Sequence, residues 1–126
     1  MANPNIVAVT SILGETAYAA PSDTSAAVLL ANAASSGNVL KINQIVAANV
    51  NGTSAVDTTV AVNSAAAGAG TSYPVVSTVS VPADASIIVT DKTTAIYLME
   101  DQSIVVTSGT ASGISYTISY EAISSS

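Results

Sequence analysis

The plainest hydrophobic pattern lies near the end of the chain, where Ile114, Tyr116, Ile118 and Tyr120 alternate with Ser115, Thr117, Ser119 and Glu121. A period of two places one set on each face of a strand, so this segment predicts a half-buried β-strand. Residues 39–50 read the same way, with Leu40, Ile42, Val46, Ala48 and Val50 on one face and Gln44 interrupting it. From these two strands a buried group of Tyr116, Ile118, Leu40, Ile42 and Val46 is expected.

Asn51-Gly52 follows the second strand and favours a tight hairpin turn, which predicts that residues 58–62 pair back on it. Further strands are expected over residues 6–13, 75–81, 86–90, 96–98 and 103–107. Pro82 has no N–H to give a ladder and should end its strand. Asp91-Lys92-Thr93-Thr94 and Glu100-Asp101 read as turns, and the Ala/Gly-rich stretch at residues 64–72 as a flexible hairpin tip. Residues 26–34 would accept a helix on propensity. Context favours a strand, because Ser35-Ser36-Gly37-Asn38 resembles a hairpin turn into Val39.

Roughly eight short strands at a spacing of about 8–15 residues point to an all-β protein, an antiparallel β-sandwich of jelly-roll-like or Ig-like form. No linker divides the chain, so residues 1–126 are expected to form one domain.

Composition narrows the function more than the fold. The chain has no Cys, His, Trp, Phe or Arg, and its cations are Lys41 and Lys92. The commonest general base, the thiolate nucleophile and the bidentate phosphate clamp are therefore missing. Two lysines against eight carboxylates oppose binding to nucleic acid or to an anionic membrane. No segment approaches the roughly 20 apolar residues of a membrane helix, and residues 1–6 lack the cations of a secretory signal. Synthesis in a cytoplasm is expected.

The remaining candidates for chemistry are weak. Glu100 and Asp101 are adjacent, whereas glycosidase carboxylates flank a sugar, so solvating a turn is the preferred role. Asp57, Asp84 and Asp91 are isolated oxygen donors without the alternate spacing of a calcium loop, although a cation between subunits stays open. Gly68-Ala69-Gly70 lacks the lysine of a phosphate loop. Lys41 reads as a solvent-facing strand lysine that discourages edge pairing, ahead of a Schiff-base role. Tyr116 and Tyr120 read as core, ahead of sugar stacking. No catalytic residue, metal or cofactor is expected, and the chain reads as a non-enzyme.

Only 8% of residues are charged, against about 25% in an ordinary domain, so Ser, Thr, Asn and Ala must cover much of the surface. Such a surface suits burial against copies of itself. Without Phe or Trp the core must be thin, which adds to the expectation that oligomerisation supplies stability. Order at the chain ends, including the Ser124-Ser125-Ser126 tail, is expected to depend on neighbouring subunits.

Several segments carry a resemblance: Met1-Ala2-Asn3-Pro4-Asn5-Ile6-Val7, Ser36-Gly37-Asn38-Val39-Leu40-Lys41-Ile42-Asn43, and Ala48-Asn49-Val50-Asn51-Gly52-Thr53. Val79-Ser80-Val81-Pro82-Ala83-Asp84, Ile96-Tyr97-Leu98-Met99-Glu100-Asp101 and Ser119-Tyr120-Glu121-Ala122-Ile123-Ser124 continue it. Together they resemble small virion structural proteins of tailed bacteriophages, especially of marine and cyanobacterial phages. The stretch around Ala65 departs from that pattern. The resemblance implies a particle component: a decoration or cement protein on the capsid exterior, or alternatively a head–tail, tail or fibre subunit. Its implied partners are other copies of itself, with a trimer as the family's suggestion, and the major capsid protein or another virion protein. Its implied location is the virion. From other classes, a carbohydrate-binding module and, last, a hydrolase remain as alternatives, both opposed by the scarcity of aromatics.

Overall fold

A computed structural model describes residues 7–124. Among them the strands are β1 (Ser11–Ala19), β2 (Ala27–Asn32), β3 (Asn38–Asn49), β4 (Val56–Asn63), β5 (Ser72–Val81), β6 (Ser86–Thr90), β7 (Ile96–Leu98), β8 (Gln102–Ser108) and β9 (Ile114–Ser124). A 3₁₀ turn over Lys92–Thr94 is the one helical piece among the described residues. The expected order of residues 1–6 and 125–126 lies outside the described residues.

All pairings are antiparallel. One sheet runs β1-β9-β3-β6, with β7 also paired to β3, and the other runs β2-β8-β4-β5. The pairs β1·β9, β2·β8, β3·β6 and β4·β5 are nested, as in a long hairpin rolled over on itself. That is the strand order of a jelly roll, which selects between the two sandwich forms expected. Nine strands stand where about eight were expected.

The inner faces meet in one cluster. Ile42, Ile45, Leu98, Ile114, Tyr116 and Ile118 from the first sheet pack against Val56, Val60, Val81, Ile104 and Val106 from the second. Most are β-branched, so they suit a pleated surface. Tyr116, the one aromatic buried completely, supplies a polar crossing of the core. Its hydroxyl donates to Thr107 O at 3.0 Å and shares a hydrogen bond with the Thr58 hydroxyl of the facing sheet.

Burial raises the Tyr116 phenol above its ordinary pKa, more than the Thr58 contact lowers it. The unfolded phenol therefore ionises first. The resulting stability is complete below about pH 10 and is lost as pH climbs from there toward the folded value. Tyr116→Phe should cost about 1–3 kcal/mol at neutral pH, by leaving Thr58 and Thr107 unsatisfied. It should also make the alkaline loss shallower. Urea midpoints at neutral and alkaline pH check both effects.

Four sequence expectations are corrected. First, the opening strand is Ser11–Ala19 and not residues 6–13. Its register with β9 is unbroken from Ser11↔Ser124 to Ala19↔Tyr116, and it is the small Ala17 and Ala19 that reach the core. Residue 6 lies outside the described residues.

Second, Val46 is not buried with Leu40 and Ile42. A bulge between Ile42 and Gln44 adds Asn43 and reverses the phase of β3. Leu40 and Ile42 face inward before it, and Ile45 and Ala47 after it, leaving Val46 and Ala48 half-buried and Val50 exposed. Gln44 was the visible mark of that reversal.

Third, Asn51-Gly52 does not close a hairpin. β3 and β4 lie in different sheets, and neither Asn51 nor Gly52 takes a positive φ. Instead the Asn51 side chain folds the connection locally, accepting from Thr53 N at 2.9 Å and Ser54 N at 3.2 Å. The 35–38 turn likewise carries the chain between sheets, with Ser35 and Gly37 in the left-handed region.

Fourth, the 64–72 segment does join a hairpin, β4 to β5, but it is not a loose tip. It lies on the outer face of its sheet, where a methyl at Gly68 would sit 3.0 Å from Val28 Cγ2 and 3.2 Å from Val105 Cγ1. The remaining strand placements agree closely: β2 forms in place of a helix, β5 ends before Pro82, and β6 and β7 occupy the expected residues.

Candidate interaction surface

The reactive side chains are spread through the structure and mostly bind the backbone. Glu100 Oε2 accepts from Gly37 N at 2.8 Å, and Asp101 Oδ1 accepts from Ala66 N at 3.2 Å. The adjacent carboxylates thus fasten two different loops. Asp91 caps the 3₁₀ turn, and its pKa is lowered by the Thr93 hydroxyl and then the Thr93 amide. Asp84 stands at a positive φ with its N–H on Asn51 O, and Asp57 O accepts from Gly109 N. Among the described residues, no three of His, Cys, Asp and Glu come close enough to share a metal ion.

Lys41 lies on β3, which is flanked on both sides and is not an edge, so it does not guard one. Its Nζ is 4.0 Å from Glu121 Oε1 on the neighbouring strand, and Asn43 Nδ2 donates to the same oxygen at 3.3 Å. A half-exposed pair at that distance is screened by solvent and contributes little stability. Tyr120 packs half-buried against the core, and burial followed by the Glu15 carboxylate raises its phenol pKa.

The aromatics do not form a platform. Tyr18 is on β1 and Tyr97 on β7, with β9 and β3 between them, while Tyr73 belongs to the other sheet. Three strand spacings of roughly 4.8 Å separate Tyr18 from Tyr97 across the sheet. That is too far for both to stack on one sugar ring.

What the sequence reading missed is a group of buried asparagines at strand ends. Asn32, Asn49 and Asn63 close β2, β3 and β4, and each is nearly inaccessible. Asn32 Nδ2 donates to Asn38 O and Leu98 O, holding the β2–β3 crossing. Asn63 Oδ1 accepts from Ala65 N and Gly70 N, and its Nδ2 reaches Gly70 O and Ser72 Oγ, which pins the 64–72 loop. The available signal was the same in all three cases, an Asn directly after a continuous apolar run.

The exposed apolar side chains gather on the edges. β1 shows Ile12, Leu13 and Tyr18 at 52%, 59% and 79% exposure, β5 shows Tyr73, Val75 and Val79, and β6 shows Ile88. An edge strand carries unpaired backbone groups, and proteins normally guard it with bulges, proline, charged side chains or shortness. β5 has Pro74, two register shifts and Thr78 at positive φ. β2 has a register shift, and β6 is only five residues long. β1 carries one charge, Glu15, and none of the other devices: it has nine residues, no proline and an unbroken register.

No protein-family model matches the chain, and no curated protein matches it. Among solved structures it is similar to one described as "Bacillus endospore appendages form a novel family of disulfide-linked pili". The TM-score is 0.49 at 16% identity, over 90% of this chain and 88% of that one. A likeness of that degree carries no argument about function.

Proposed function

We propose that this chain is a non-enzymatic structural subunit of a phage particle, and more specifically a decoration or cement protein on the capsid exterior. The observation that carries this reading is the long, regular β1 edge with its exposed Ile12, Leu13 and Tyr18. In a free monomer that edge is a liability, and in an assembly it is an interface. The low charge of the chain supports the same reading, because little solvation is lost when such a surface is covered. Jelly rolls occur in viral capsid and lectin domains alike, so the fold by itself favours neither class. The separated tyrosines weigh against sugar stacking. Subunits of this kind add contact area across joints between shell subunits and help the shell resist internal pressure.

Mass-resolved counting on purified virions tests the proposal. Copies on the order of hundreds per particle, as repeated symmetric sites would hold, are expected for the capsid surface. Tens of copies would move the chain to the neck, tail or fibres. Absence from purified virions overturns the proposal.

A further inference from the structure

We infer that β1 pairs with β1 of a second copy of this chain, antiparallel, about a twofold axis centred on Thr16. The inference rests on the self-assembling structural role proposed above and names the surface that would carry it.

The backbone makes the pairing available. In an antiparallel strand, alternate residues turn N–H and C=O to opposite sides. β1 spends one side on β9, and the other side has no partner strand among the described residues. A long edge of unbroken register is a template for strand addition.

The side chains select the occupant. Glu15 is the only charge on β1, so the strand presents no charge pattern for a basic or acidic partner to match. Its own sequence can match it, and of the three central registers, with the axis through Gly14, Glu15 or Thr16, the last does so best. An axis through Glu15 would set two carboxylates directly opposite, which is destabilising. An axis through Gly14 would set each Glu15 against an apolar Leu13 and leave the two glycines facing each other.

An axis through Thr16 avoids both. It pairs Thr16 with Thr16, where the hydroxyls can hydrogen-bond, Glu15 with Ala17, and Leu13 with Ala19. It also pairs Gly14 with Tyr18 twice. A Cβ at Gly14 would meet nothing within 4 Å, so open space stands over that residue. The highly exposed ring of Tyr18 on the other copy lies on the same face and fills it, as aromatic residues do beside strand glycines. Leu13 gains cover on the inner face. The formal charge of -6 on each copy opposes the approach, so association should strengthen as salt screens it.

Because the chain has no cysteine, a single introduced thiol reports the contact cleanly. Opposed Cα atoms about 4.5–5.5 Å apart fall within disulfide reach. Under mild oxidation Thr16→Cys should form a cross-linked dimer much faster than Ser77→Cys, which places the thiol on the guarded β5 edge. Tyr18→Ser, which leaves the net charge unchanged, should keep the far-ultraviolet spectrum and weaken self-association by roughly tenfold in sedimentation, the scale of two symmetric cross-strand pairs. Equal cross-linking of the two cysteine variants, with Tyr18→Ser associating like the wild type, overturns the β1 contact while leaving an assembling subunit. A wild type that stays monomeric overturns the contact and the assembly reading together.

Discussion

Ile118→Ala should destabilise the fold by about 2–5 kcal/mol, the usual cost of truncating a core isoleucine. Ile118 is fully inaccessible and sits mid-strand on β9 between Ala17 of β1 and Ile45 of β3. Its cross-strand partners are the short Ala17 and the stiff, β-branched Ile45, so the hole should close only in part and the cavity term should persist. Val46→Ala is the internal control. Sequence alternation assigns Val46 to the same buried group, but the bulge at Asn43 turns it outward, and its cost should fall near the half kcal/mol typical of surface changes. Urea denaturation of both variants decides the point. A loss below about half a kcal/mol for Ile118→Ala would show that this face of β9 is not core.

Asn49→Ala should cost roughly 2–4 kcal/mol, because it strands several buried polar groups at once. Asn49 Oδ1 accepts from Asn51 N at 2.7 Å, and Nδ2 donates to Ser54 O at 3.0 Å and Val81 O at 2.8 Å. The first two bonds shape the β3–β4 crossing, and the third fastens it to the end of β5. Asn49→Asp is an informative companion. It is nearly isosteric but cannot donate and brings a carboxylate into a site that is 3% exposed, so it should be no milder than alanine at neutral pH. Equal stability of wild type and both variants in urea would remove the asparagine from the account of how the sheets are joined.

How much of this was legible depends on the range of the interaction. β6, β7 and the end of β5 are set by neighbours a few residues away, Pro82 and the Asp91 turn, and they fall where expected. The crossings do not. Whether Asn51-Gly52 closes a hairpin depends on whether β3 finds β4 or β9, and β9 wins with a register running from Asn38↔Ser124 to Asn49↔Ile114. No local turn preference contains that information. The bulge is intermediate: Gln44 breaks the alternation visibly, but only the pairing with β9 reveals that one residue was added.

The candidate surface was the least legible feature. Ile12 and Leu13 look like core in a hydropathy pattern, and only their place on an outer strand makes them exposed. The buried asparagines were obscured for the opposite reason. A polar residue after a strand reads as loop, although Asn32, Asn49 and Asn63 are among the least accessible side chains.

The central claim is that this chain is built to be one of many. Thermal unfolding across a wide dilution series, with sedimentation on the same samples, tests it most directly. Because mass action favours a folded oligomer, the melting temperature should rise with protein concentration as the sedimenting species grows beyond one chain. A single-chain species at every concentration, with a melting temperature independent of dilution, would contradict the account.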